Sequence, residues 1–330
     1  MKSLGRNPQF LHEFGFVLPT YIGDIALARR LVGSYEKYNL DNLPLVLVVE
    51  DKDFPEFQEF MRGTVTVMSY SSIPTEFALT EIAEVRPGYL NQNIVKLAFH
   101  RTGIFRNYLC LDSDGLFIRN FNRSDFIGFD GTPYAILVED KDLQADNRYW
   151  QEYWKERQEA LDFIWENLGG SSQQIRLTCH GFQIMRSEVL EKFELTFLRD
   201  RGLADFIDVY RLCEPKSTYL FSWYNYFLQL HFHDFQIREP LFRTFHSARE
   251  FLRFRWFGFT TEDWGRGYVG LVINSNFQHA RAQEAAIGPE VPPSVLAGSY
   301  LTFREVGQLV LHSLAALVLV LKRKLVKLFH

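Results

Sequence analysis

Two aspartates one residue apart, Asp112 and Asp114, are the residues whose types and spacing most directly suggest chemistry. They follow the apolar run Tyr108-Leu-Cys-Leu and precede a second one, Leu116-Phe-Ile. A short bounded apolar run reads as a buried strand. Side chains alternate along a strand, so the spacing predicts both carboxylates on one side where the strand ends. Paired carboxylates repel unless a cation lies between them. Hard oxygen donors suit Mg2+ or Mn2+, ions that commonly share their shell with substrate phosphates. Taken alone, Asp-x-Asp reads equally well as a loop of two solvated acids; the apolar flanks favour the metal.

A second element lies just upstream. Gln92 and Lys96 sit four apart in a helical pattern over Gly88–Phe99 and so share one face. A lysine aimed at a diphosphate would offset its charge, although a solvated Lys and Gln is the ordinary state of such a pair.

Other patterns carry less. Gly265-Arg-Gly267-Tyr-Val-Gly270 fits GxGxxG by letter, but it precedes a strand pattern where a dinucleotide site needs the start of a helix. His231-Phe-His233-Asp234 could chelate zinc if it were a strand, yet no distal His or Cys cluster accompanies it. There is no P-loop and no GxSxG elbow, so a hydrolase triad has no support.

The elements that must position the aspartates alternate. Phe14–Pro19 reads as a strand, Asp24–Tyr38 as a helix, Pro44–Val49 as a strand ending in Glu50-Asp51, and Val65–Met68 as a third strand. Arg106–Leu111 delivers the aspartates. Tyr134–Val138, Leu177–Met185 and Tyr268–Ile273 read as further strands, and Arg148–Leu168 as an aromatic helix closed by Gly169-Gly170. This order predicts an α/β fold with its ligand at the carboxyl ends of the strands.

Composition bounds the class. The chain has 330 residues, 47% hydrophobic and 31 of them Phe, which excludes a disordered protein. A net charge of −4 argues against a general nucleic-acid binder. Cys110, Cys179 and Cys213 lie in apolar surroundings and read as buried thiols of a reducing compartment. The first thirty residues lack the regions of a signal peptide, so a cytoplasmic location is expected.

Residues 1–285 are read as the catalytic domain, 286–298 as a Gly/Pro linker and 299–330 as a C-terminal amphipathic or hydrophobic helix. Within that tail Val306–Leu321 is almost wholly apolar and Lys322-Arg323-Lys324 follows. The run is shorter than the ~20 residues that span a bilayer comfortably. A helix lying on the cytoplasmic face of an inner membrane fits better than a spanning one, and packing on the core is the alternative.

These pieces resemble a metal-dependent glycosyltransferase of the GT-A fold, of the kind that builds bacterial surface polysaccharides. The resemblance rests on PTY with Asp24, VVED, QNIVK, LCLDSDGLF, GFQIMR, FSWYNYF and YVGLVINSN, in that order over roughly residues 14 to 280. It implies a GT-A-like (Rossmann-like) mixed sheet flanked by helices, a nucleotide-sugar donor, and Mn2+ or Mg2+. Pro19, Thr20 and Tyr21, with Glu50 or Asp51, would line the base and ribose. Gln92, Lys96 and Ser113 would face the donor, with Asp112 on ribose and metal, Asp114 on the metal, and His246 (or His279) as a further ligand. Asp112, Asp114 and Lys96 would form the catalytic set.

The general base is open. Relatives of this kind carry a glutamate where this chain has Trp223; Glu214, His180 and Asp263 are replacements to consider. His180, Trp223 and Tyr224 are read as acceptor contacts, a Trp there being suited to stacking on a sugar. The acceptor would be a glycan or a lipid-linked glycan. Two other classes stay open: a metal-dependent nucleotidyltransferase, and a catalytically silent nucleotide-sugar-binding protein.

Overall fold

A computed structural model of the chain describes residues 10–82, 85–139, 157–171, 173–174, 176–178, 182–212, 220–245, 251 and 254–273. The expected linker and C-terminal helix lie outside these residues. Among the described residues no helix is long and apolar enough to cross a membrane.

The centre is a five-stranded sheet in the order β3-β2-β1-β4-β9. Its strands are β1 (His12–Pro19), β2 (Leu45–Val49), β3 (Val65–Ser69), β4 (Phe105–Cys110) and β9 (Ile184–Arg186). The first four run parallel, and β9 pairs antiparallel with β4. Every residue of β2 is buried, as a strand covered on both faces requires. The period of two sorts its side chains: Val46 and Val48 enter one apolar core, while Leu45, Leu47 and Val49 enter the other.

On the second face lies α1 (Ile25–Tyr38), whose Leu27, Ala28, Leu31, Val32 and Tyr35 recur at helical spacing and are all buried. The first face is covered by α2 (Pro87–Ala98), α3 (Gln158–Asn167), α4 (Ser187–Phe193), α5 (Phe206–Leu212) and α6 (Leu220–His231). A smaller sheet in the order β11-β12-β5 is built from β5 (Gly115–Phe117), β11 (Phe242–Phe245) and β12 (Gly270–Ile273). The expected α/β class, a parallel-rich mixed sheet with flanking helices, is therefore the observed one.

Three expectations are corrected. Leu177–Met185 is not one strand: β8 (Leu177–Thr178) pairs with β7 (Val138–Glu139), whereas β9 joins the central sheet, so its two ends serve different partners. His231 is the last residue of α6, its ring 4.3 Å from that of Phe227, so it does not alternate with His233 along a strand. The stretch from Tyr134 likewise divides, β6 (Tyr134–Ile136) pairing with β10 (Gln236–Arg238) and β7 with β8.

Candidate active site at the end of the central strands

β1 and β4 are neighbours, and their carboxyl ends are tied together. The Leu111 amide donates to Val17 O at 2.8 Å, and the Ser113 hydroxyl donates to Thr20 Oγ1 at 2.9 Å. Both hydroxyl residues are buried. Pro19 and Thr20 are thus internal and fasten the strand ends, rather than lining a surface for a base. Tyr21 is half-buried, and its carbonyl accepts from the Asp24 amide at 2.9 Å.

Asp112 and Asp114 do not lie on the strand. β4 ends at Cys110, and the chain turns at Ser113 and Asp114, with the Gly115 amide donating to Asp112 O at 3.0 Å. A turn imposes no period-two alternation, so each acid takes its own setting. Asp112 stays open, its side chain 43% exposed, while its Oδ1 accepts from Lys96 Nζ. Asp114 is drawn inward: one carboxylate oxygen is fully buried, and its carbonyl accepts from Arg30 Nη2 at 3.3 Å and from the Ile273 amide at 3.2 Å.

Lys96 is the residue that the fold treats least like a surface lysine. It is 4% exposed on α2, its ammonium lies 5.2 Å from the Phe221 ring centroid, and its tip reaches Asp112. Burial alone would lower its pKa, but the Asp112 charge and hydrogen bond outweigh that and raise it, so the amine is held as a cation. Gln92, one turn earlier, is half-buried on the same helix.

Sequence reading passed over Asp24 as a site residue. It occupies the N-cap position of α1 without making a side-chain capping bond. Burial, and after it the charge of Asp112, lift its carboxyl from 3.8 to about 6. The signal was available: an acid at a helix start directly beyond a parallel strand points at the ligand end of the sheet. Asp53 is a second omission. Its carboxylate accepts from the Ile22 amide at 2.9 Å and so clips the segment after β1 to the segment after β2.

The other predicted positions divide. Glu50 pairs with Lys52, and Asp51 accepts from the Ser71 hydroxyl and amide, which hold its pKa below the usual carboxylate value. Trp223 and Tyr224 are corrected: they are 1% and 2% exposed. The Trp223 ring packs against Phe193 and Phe197, and the Tyr224 hydroxyl accepts from the Arg186 amide at 2.9 Å. Neither faces an acceptor. Asp263 is corrected as a base, because it closes a capping box with Thr260 at the start of a short helix. Glu214, His180, His246 and His279 lie outside the described residues, as do Cys179 and Cys213. Cys110 is a buried free thiol, as expected.

A family model described as a family of unknown function (DUF6492) matches residues 13–170. That stretch is just under half of the chain and contains β1 to β7, with Asp24, Lys96, Asp112 and Asp114. No curated protein matches the chain. Among solved structures, the apo form of mouse xyloside xylosyltransferase 1 is similar at a TM-score of 0.44 and 14% identity, over 81% of this chain and 99% of that one. Likeness at that level decides nothing; the strand order described above is what establishes the fold.

Proposed function

We propose that the protein is a metal-dependent glycosyltransferase that moves a sugar from a nucleotide-diphosphate sugar to a glycan or lipid-linked acceptor in surface-polysaccharide synthesis. The observation that carries this reading is Asp112, open to solvent beyond β4 and gripped from inside by the buried cation of Lys96. A ligand placed there meets the carboxyl ends of parallel strands, where open α/β sheets bind their ligands.

The residues fit a divalent cation only as a shared site. Among the described residues no three His, Cys, Asp or Glu side chains gather closely enough to hold one unaided. Carboxylates of Asp112 and Asp114 are the donors Mg2+ or Mn2+ takes, and phosphate oxygens and water would complete the shell. Bound there, the ion would supply Lewis-acid neutralisation of a leaving diphosphate. Lys96 orients Asp112 by occupying one of its oxygens. Arg30 and Ile273 fix the backbone on which Asp114 is carried. Acidic Asp24 adds negative charge beside Asp112, which favours a cation further. With Trp223 buried, the general base is sought among groups other than α6.

A thermal-shift screen of UDP-, GDP-, CMP- and dTDP-sugars with and without Mn2+ tests the class, since a ligand of the folded state raises its melting temperature. A Mn2+-dependent shift that Asp114→Ala removes, with nucleoside diphosphate as the turnover product, is the expected result. Pyrophosphate as product would make the protein a nucleotidyltransferase, and binding without turnover a silent carrier of nucleotide sugar.

A further inference from the structure

The small sheet carries an aromatic turn that the candidate site does not use. Phe254, Arg255 and Trp256 form a last helical turn before a bend at Phe257 and Gly258. The Phe259 amide donates to Phe254 O at 3.1 Å and the Gly258 amide to Arg255 O at 3.0 Å, with Gly258 at φ 87°. This paired bonding around a left-handed glycine is a Schellman cap. Its usual apolar contact is present too, the Phe254 and Phe259 rings lying 5.4 Å apart. Arg255 Nη1 closes the turn further with a 3.0 Å bond to Phe259 O. The segment is therefore a fixed structure.

Its two sides differ sharply. Phe251 and Trp264 are 0% and 6% exposed and pack with Phe245, while Trp256, Phe257 and Phe259 remain 39%, 38% and 43% exposed. Three neighbouring large aromatics held out on a rigid turn mark an interaction surface. The charge around them is cationic on balance. Arg243 lies 5.5 Å from the Phe254 ring centroid, Arg255 is in the turn, and the Arg266 side chain is 82% exposed. Of the nearby acids, Asp263 is engaged by Thr260 and faces Arg266 at 3.9 Å, which leaves Glu262.

Amphipathic rings flanked by arginines favour the boundary between lipid headgroups and acyl chains, and anionic lipid attracts the arginines. We propose that the turn at 254–259 docks on an anionic lipid surface, with Trp256, Phe257 and Phe259 entering the headgroup boundary. The turn is linked to the candidate site through its own sheet, because Ile273 of β12 donates to Asp114 O and β5 begins directly after Asp114. Docking would thus fix the orientation of the acidic turn relative to the membrane. The inference needs neither the sugar-transfer reading nor residues 299–330.

The test is co-sedimentation of the full chain with vesicles of phosphatidylcholine, with and without phosphatidylglycerol. The wild-type chain should partition onto the anionic vesicles, and W256S/F257S should lose at least about tenfold in partitioning from the apolar area no longer buried. R266E should weaken binding to anionic vesicles severalfold and flatten its salt dependence, which keeps the idea testable if the double variant melts early. Wild-type binding that both variants retain would place the lipid contact elsewhere, in residues 299–330 for example, and overturn the proposal. So would a wild-type chain that ignores vesicles, or variants whose only change is lost self-association.

Discussion

Lys96 and Asp112 form an asymmetric pair: the lysine side chain is 5% exposed and the aspartate 43%, although the two touch. The consequence is an unequal cost of breaking the pair. Asp112→Ala strands an ammonium in the interior, a loss of about 3–5 kcal/mol in the usual range for an orphaned buried charge. Lys96→Met leaves a carboxylate that water still reaches, so its cost should be clearly smaller. The double variant Lys96→Met/Asp112→Ala should recover most of the stability lost by Asp112→Ala. Urea titrations of the four proteins measure this, and equal costs for the two single variants would refute the asymmetry.

Asp24 gives a pH dependence of known sign. Its folded-state pKa of about 6 lies above the ordinary 3.8, so the folded protein holds its proton more tightly than the unfolded chain. That contribution is present below pH 3.8 and lost as pH rises through 6. Asp24→Asn should therefore gain stability relative to wild type between about pH 4 and pH 7, with little difference at the acid end. Denaturation midpoints of both proteins across that range check it. A constant difference between them would show that Asp24 does not titrate as described.

Trp223 separates packing from binding. With its ring among Phe193 and Phe197, Trp223→Ala should cost about 3–5 kcal/mol through the cavity it leaves. A residue that stacked on a sugar would instead weaken acceptor binding and leave the denaturation midpoint in place. Measuring both on one variant distinguishes the two.

Gly270 is the last glycine of the GxGxxG letter match, and steric crowding explains it. A Cβ there would sit 2.1 Å from the Phe242 ring and 2.5 Å from Leu116 O, so β11 and β5 close in on it from both sides. Gly270→Ala should destabilise the protein by about 1–3 kcal/mol, as overpacking does, without a specific effect on nucleotide binding. A variant with an unchanged melting temperature and lost donor binding would reverse that assignment.

Much of this was legible along the chain. Apolar runs such as Leu45–Val49 and the helical spacing of Leu27, Leu31 and Tyr35 gave the strands and helices of the central sheet, because burial on one or two faces leaves its period in the sequence. The Asp-Ser-Asp at the end of a strand pattern and Lys96 upstream pointed to one place for the same reason. What the chain could not show was contact between residues far apart in number. That Lys96 lies buried and Asp112 open, that Asp24 shares their field, and that Trp223 fills the core all depend on which elements pack together. The sequence by itself determined the alternation of elements and the acids at their ends, since local periodicity encodes those. Tertiary structure alone decided which side chains are desolvated and which charges meet, because both depend on neighbours brought together by packing.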